Sequence, residues 1–77
     1  MFFLNLNSFF SSIDISSRPK RRNAVNIIIS TLQHIRNEEE AYRDRIPFNL
    51  SDSQAFANAD DSIDFISDAI LYLSDAY

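Results

Sequence analysis

The chain is 77 residues long, carries a formal net charge of −4, and contains neither Gly nor Cys. The absence of Cys excludes disulfides and thiolate chemistry and suits a reducing cytoplasm, while the absence of Gly excludes the glycine-rich loops that cradle phosphates. A chain of this length forms at most one domain with a marginal core, so we expect a third packed element or a second copy of the chain to contribute.

Residues 1–17 form an apolar N-terminal segment that holds four of the seven Phe residues. It lacks a basic start and a small-residue cleavage site, so we expect no signal peptide. A membrane span needs about 20 consecutive apolar residues, and the sequence has no such stretch. A helix gathers more of the apolar residues on one face than a strand does, so we expect a third short helix, with strand and tail as the alternatives. That face would carry Phe2, Phe3, Leu6, Phe9, Phe10 and Ile13.

The first long helix is predicted over 19–44, with Ser17 as its candidate cap and Pro19 in its first turn. Its apolar stripe alternates steps of three and four residues, as a helix with one packed seam requires. The stripe consists of Val25, Ile28, Leu32, Ile35, Glu39, Tyr42 and Ile46. Glu39 interrupts it, and Arg43, four residues after Glu39 and three after Glu40, is available for local pairing.

The second long helix is predicted over 51–76. Pro47 ends the first helix, and the spacing of Ser51 and Gln54 is that of a capping box, which makes Ser51 the predicted cap. The second stripe consists of Phe56, Ala59, Ile63, Ile66, Ile70, Leu73 and Tyr77. Because the connection is short, the helices should lie antiparallel. The sequence therefore predicts an all-α helical hairpin over 18–77, within a single domain of residues 1–77.

Charge is unevenly distributed along the chain. Four of the seven basic residues, Arg18, Lys20, Arg21 and Arg22, surround the start of the first helix, and none occurs from Gln54 onward. Nucleic-acid-binding domains usually carry a positive net charge, so we interpret the basic cluster as a solvated first turn and expect no nucleic-acid partner.

An acidic ridge is predicted on the second helix, opposite its apolar stripe. Its members are Asp61, Asp64, Asp68 and Asp75. One interpretation is an outward face that charge keeps soluble. The other is a mimic of DNA phosphates that occupies the basic groove of another protein, where spaced carboxylates gain from electrostatic complementarity.

Catalytic and metal sites are not indicated by the residue pattern. His34 is the single imidazole and lies off the apolar stripe, so no nucleophile has a positioned base. The acidic run 60–64 falls inside a predicted helix and lacks the Gly-containing loop of a calcium site. We therefore predict no catalytic residue, no cofactor and no metal, and a chain that is not an enzyme.

A family resemblance is carried by the residues around the predicted turn. The matching positions are Ile35, Arg36, Glu38, Glu39, Tyr42, Asp44, Ile46, Pro47, Asn49, Leu50 and Ser53, followed by Ala59, Ile63, Ala69 and Leu73 and preceded by Arg21 and Arg22. From about Lys20 to Tyr77 the chain resembles a family of small uncharacterised proteins encoded by bacteriophages and prophages. The resemblance implies a helical hairpin of phage or mobile-element origin, and it implies no activity.

Several large apolar residues remain after the two stripes are paired. They are Ile27 and Ile29 on the first helix and Phe65, Leu71 and Tyr72 on the second. Burying such a side chain is worth about 1.5–3 kcal/mol, so we expect the N-terminal segment, a second copy or a foreign protein to cover them. The sequence favours a small cytoplasmic protein-interaction module that does not bind a membrane. The alternative is an acidic inhibitor of a host nucleic-acid-binding or defence protein.

Overall fold

The computed structural model describes residues 13–77, which form two long α-helices and a short 3-10 helix. Helix α1 spans Arg18–Asp44, the 3-10 helix spans Phe48–Leu50, and helix α2 spans Gln54–Ser74. No strand occurs in these residues, and the two long helices pack on each other, so the predicted all-α hairpin is confirmed. A third helix is predicted in the N-terminal segment, residues 1–17. Residues 1–12 of that segment lie outside the described residues, and residues 13–17 are not helical.

Helix α1 begins as the sequence predicts. Ser17 has extended backbone angles (φ −138°, ψ 165°), and its hydroxyl oxygen accepts a hydrogen bond from the Lys20 N–H at 3.3 Å. Pro19 lies in the first turn, where its missing N–H costs no helical hydrogen bond. The prediction of Ser17 as the cap is therefore confirmed.

Helix α2 begins at Gln54, three residues later than predicted, and the predicted cap at Ser51 is wrong. Pro47 leads into the 3-10 helix, so Ser51 has helical backbone angles (φ −63°, ψ −19°) and donates its N–H to the Phe48 carbonyl. A capping residue needs extended angles, and Ser53 has them (φ −71°, ψ 158°). The Ser53 hydroxyl accepts from the Phe56 N–H at 3.2 Å, while the Gln54 amide bonds to Asn58 instead of completing a capping box.

Contacts at both ends of the hairpin fix the helices antiparallel. At the open end, the Arg18 guanidinium lies over the Tyr77 ring, 4.9 Å from its centroid. Near the turn, Arg43 Nη1 donates to Asp60 Oδ1 at 2.8 Å. The start of α1 therefore lies beside the end of α2. Arg43 pairs with Asp60 and Asp44 and not with Glu39 or Glu40, while Glu40 pairs with Arg36.

The core between the helices is thin. Among the described residues only Ala24, Ala59, Ile63 and Ile70 are buried. Most of the remaining stripe residues are half-buried, including Val25, Ile28, Leu32, Ile66 and Leu73. Glu39, which interrupts the predicted stripe, is half-buried as well.

The predicted seam of α1 is wrong at two positions. Ile35 and Tyr42 are 46% and 45% exposed, whereas the side chains of Arg36 and Arg43 are only 29% and 27% exposed. Ile29 is half-buried and lies seven residues before Arg36, on the face that brings Arg43 to α2. Helix α1 is therefore rotated, so that its turn-proximal half presents Arg43 to α2 and leaves Ile35 and Tyr42 at the edge.

Candidate protein-interaction surface

The outer face of α2 carries a regular alternation of carboxylates and aromatic rings. Asp61, Phe65, Asp68, Tyr72 and Asp75 follow one another in steps of four and three residues, so they form one line along the helix. We call this line the acidic–aromatic stripe. Successive aspartates are seven residues apart, about 10.5 Å along the axis. All five residues are exposed, and both rings are more than two-thirds exposed, Phe65 at 73% and Tyr72 at 76%.

The flank of the stripe continues the same chemistry. Asp64 is exposed, and Leu71, seven residues later, is 62% exposed. Among residues 13–77, none of Asp61, Asp64, Asp68 and Asp75 makes an ion pair. Asp60 differs from them because it turns toward α1 and pairs with Arg43. The predicted acidic ridge and three of the predicted partner residues thus share one surface.

Ion pairing perturbs two groups of the described residues. The Lys20 side chain, 2.7 Å from Asp14 Oδ2, and the Ser16 N–H hold the pKa of Asp14 below its usual value. The hydrogen bond to Asp60 raises the pKa of Arg43. Both pairs are structural, since one ties the segment before α1 to its first turn and the other joins the helices.

The charges at the open end of the hairpin oppose the helix dipoles. Helix α1 has no acidic residue in its first turn, and α2 has no basic residue in its last turn and ends against Asp75. Each arrangement is unfavourable for an isolated helix. In the antiparallel hairpin the basic start of α1 lies beside the acidic end of α2, as the contact between Arg18 and Tyr77 shows, so the two ends offset each other.

The apolar candidates on α1 form a second, less exposed surface. Ile27 is 43% exposed and lines a groove of about 500 Å³ together with Ile13, Pro19 and Ala24. Tyr42 lines a shallower groove of about 420 Å³ between the helices, beside Glu39 and Ser62. Ile29, predicted to face a partner, is half-buried on the side toward α2. Tyr42 therefore lies at an edge of the helix–helix interface, whereas Ile27 lies beside the segment that precedes α1.

Sequence reasoning missed Phe48, which is 93% exposed in the 3-10 helix. The signal available was its position directly after Pro47, in the connection, where a bulky apolar residue has no stripe to join. Its backbone is fixed by the turn, since the Leu50 N–H donates to the Pro47 carbonyl at 2.8 Å. Phe48 lies at the closed end of the hairpin, away from the acidic–aromatic stripe.

The remaining predictions concern His34, metal sites and membrane spans. His34 is exposed on α1, as predicted. Within residues 13–77, no cluster of three or more His, Cys, Asp or Glu side chains has the arrangement of a metal site. Neither helix of the described part has the length and hydropathy needed to cross a membrane.

The fold defines the described chain as an all-α helical hairpin with one acidic, aromatic-bearing outer face. We compared the sequence and structure with protein-family models, with curated proteins and with solved structures, and none of the three comparisons gives a significant match. Function is therefore inferred from the fold and its exposed surface.

Proposed function

We propose that this chain is a small, non-enzymatic protein-interaction module of phage or mobile-element origin that works in the host cytoplasm. The observation that carries the proposal is the exposure of Phe65 and Tyr72 on the side of α2 turned away from α1. Burying a large apolar side chain contributes about 1.5–3 kcal/mol, so a protein that covers both rings gains binding free energy that the hairpin itself does not use.

Origin and location rest on the sequence. The turn region from Glu38 to Leu50 resembles the phage and prophage family, and the lack of Cys suits a reducing compartment. The non-enzymatic assignment rests on His34, the single imidazole. His34 is exposed, and within the described residues it forms no nucleophile–base pair.

The competing proposal is an acidic inhibitor that mimics DNA phosphates. The aspartates of the stripe favour it, because they repeat regularly along one face and stand outside the ion pairs of the described residues. The rings of Phe65 and Tyr72 oppose it, since they occupy positions between carboxylates where a phosphate mimic would gain from further negative charge. Protein recognition uses both the rings and the carboxylates, so we favour it.

A second copy of the chain is a poor occupant of the stripe. In a two-fold symmetric pair of α2 helices, Asp61, Asp68 and Asp75 of one copy would face the same acidic row of the other. Self-association, where it occurs, should use Ile35 and Tyr42 at the edge of α1, outside the acidic row of α2.

Affinity capture with matched variants tests the proposed function. The tagged full-length chain is used as bait in a lysate of the cell that naturally makes it, beside a Phe65→Ser/Tyr72→Ser variant. Phe48→Ser serves as the control because it removes an exposed aromatic ring outside the stripe. Proteins captured by the wild type and by Phe48→Ser should be lost with the double variant, whose far-UV circular dichroism should be unchanged. An identical set of captured proteins for all three baits, or none for the wild type, would contradict the proposal.

A further inference from the structure

We infer that the acidic–aromatic stripe binds one face of a basic amphipathic helix of another protein; this deepens the proposed function and rests on it. The stripe is about 21 Å long, from Asp61 to Asp75, and follows a seven-residue repeat. A helix packed alongside α2 presents its own residues with the same repeat, so an apolar row and a basic row on it can meet the rings and carboxylates in register.

Charge identifies the partner's chemistry. From Gln54 onward the chain has five aspartates and no basic residue, and only Asp60 is engaged in an ion pair among the described residues. A partner that covered Phe65 and Tyr72 with neutral residues would desolvate the neighbouring carboxylates without compensation, which is unfavourable. Lys or Arg flanking an apolar row compensates that cost and steers association.

The chain contains an example of the contact that such a partner would make. The Arg18 guanidinium lies over the Tyr77 ring at 4.9 Å, three residues after α2 ends. Cations within about 6 Å of a ring centroid are attracted by its negative face. Tyr72 is five residues earlier, within α2, and 76% exposed, so its ring can receive a partner's cation in the same way.

The test uses the full-length chain and three synthetic peptides of about 21 residues. The first is a helix with Leu at the seam positions and Lys flanking them, the second has Glu in place of Lys, and the third is a scramble of the first that lacks the seven-residue repeat. Titration calorimetry gives the affinities, and amide shifts map the surface. The Lys peptide should bind at the stripe, about tenfold more weakly at 300 mM than at 50 mM salt, and the other two should bind at least about tenfold more weakly than it.

Two variants separate the contributions of the aspartates and of the aromatic rings to binding of the Lys peptide. Asp61→Asn/Asp68→Asn/Asp75→Asn should weaken the Lys peptide about tenfold and remove most of the salt dependence, and Phe65→Ser/Tyr72→Ser should abolish its binding. Equal binding of the scrambled peptide, or an affinity unchanged by the Asn substitutions, would overturn the inference.

The inference and the proposed function fail separately. If the Lys peptide does not bind but a lysate protein is still lost with Phe65→Ser/Tyr72→Ser, the module stands and its partner is not a basic helix. If sedimentation shows self-association of the free chain that the same double variant removes, a second copy occupies the stripe and the inference is wrong.

Discussion

Ser51 and Ser53 carry the same hydroxyl two residues apart, and their backbone conformations assign them different roles. Ser51 follows the 3-10 helix with helical angles, and its N–H donates to the Phe48 carbonyl. Ser53 is extended and accepts from Phe56. The serine that caps α2 is therefore the one whose backbone is extended after the 3-10 helix.

We expect Ser53→Ala to lower the free energy of unfolding by about 0.5–2 kcal/mol, because the Phe56 N–H loses its partner. Ser51→Ala should be nearly neutral, since the Ser51 hydroxyl has no capping role in the structure. Urea denaturation followed by circular dichroism measures both. A larger loss at Ser51 than at Ser53 would contradict the assigned cap.

Asp14 joins the segment before α1 to the first helical turn through Lys20 and the Ser16 N–H. The Lys20 side chain should therefore hold the pKa of Asp14 below its usual value in the folded chain. Because the folded value is lowered, the ionised carboxylate stabilises the fold above about pH 3.8, and this stabilisation is lost as the pH falls through the folded pKa. Carboxyl chemical shifts measured against pH should show the low value, and Lys20→Met should raise it. An unchanged pKa in Lys20→Met would show that the ion pair does not form in solution.

At the scale of the helices, Ile63 and Phe65 show how one element divides its two faces. They are two residues apart on α2, yet Ile63 is 8% exposed in the seam and Phe65 is 73% exposed on the acidic–aromatic stripe. The seam holds the hairpin together, and the stripe is available to a partner. The same substitution should therefore disrupt folding at Ile63 and leave it unchanged at Phe65.

Ile63→Asp should unfold the hairpin, because it places a carboxylate without a partner in a core of few buried residues. Phe65→Asp should leave the fold intact, since its side chain is in water already. Far-UV circular dichroism and the melting midpoint give the result for both. Retained helicity and an unchanged melt in Ile63→Asp would show that the seam is placed wrongly.

At the scale of the whole molecule, the described hairpin is a narrow structure with apolar residues left on its edges. Ile27, Ile35 and Tyr42 are each more than 40% exposed on α1, and Ile27 and Tyr42 each line a groove. A two-helix core is rarely enough for independent stability at this size. The apolar segment that precedes residue 13 has the composition to cover these edges.

Deleting residues 1–12 should therefore lower the melting midpoint, and so should the full-length variant in which Phe2, Phe3, Phe9 and Phe10 are replaced by Ser. The matched variant keeps the chain length and removes only apolar surface. Melts at two protein concentrations distinguish docking within one chain from docking between chains, because only the latter depends on concentration. If both variants had the melting midpoint of the wild type, the N-terminal segment would not cover the edges of α1, and those edges would be available to another partner.

The sequence by itself determined the elements of this protein and their order. Helical periodicity, the cap at Ser17 and the break at Pro47 act over a few residues, so the two helices, the connection and the antiparallel hairpin could be predicted. The members of the acidic–aromatic stripe could also be predicted one by one, because residues seven apart share a helix face whatever the helix packs against.

The tertiary structure alone decided how the two helices face each other. Periodicity gives a stripe about 100° wide, and within it the packing of both helices selects the rotation that brings Arg43 to Asp60 and leaves Ile35 and Tyr42 at the edge. The cap at Ser53 followed from the path of the 3-10 helix, and the exposure of Phe65 and Tyr72 followed from the side of α2 that α1 covers. These features depend on contacts between residues far apart in the chain, which local sequence patterns do not encode.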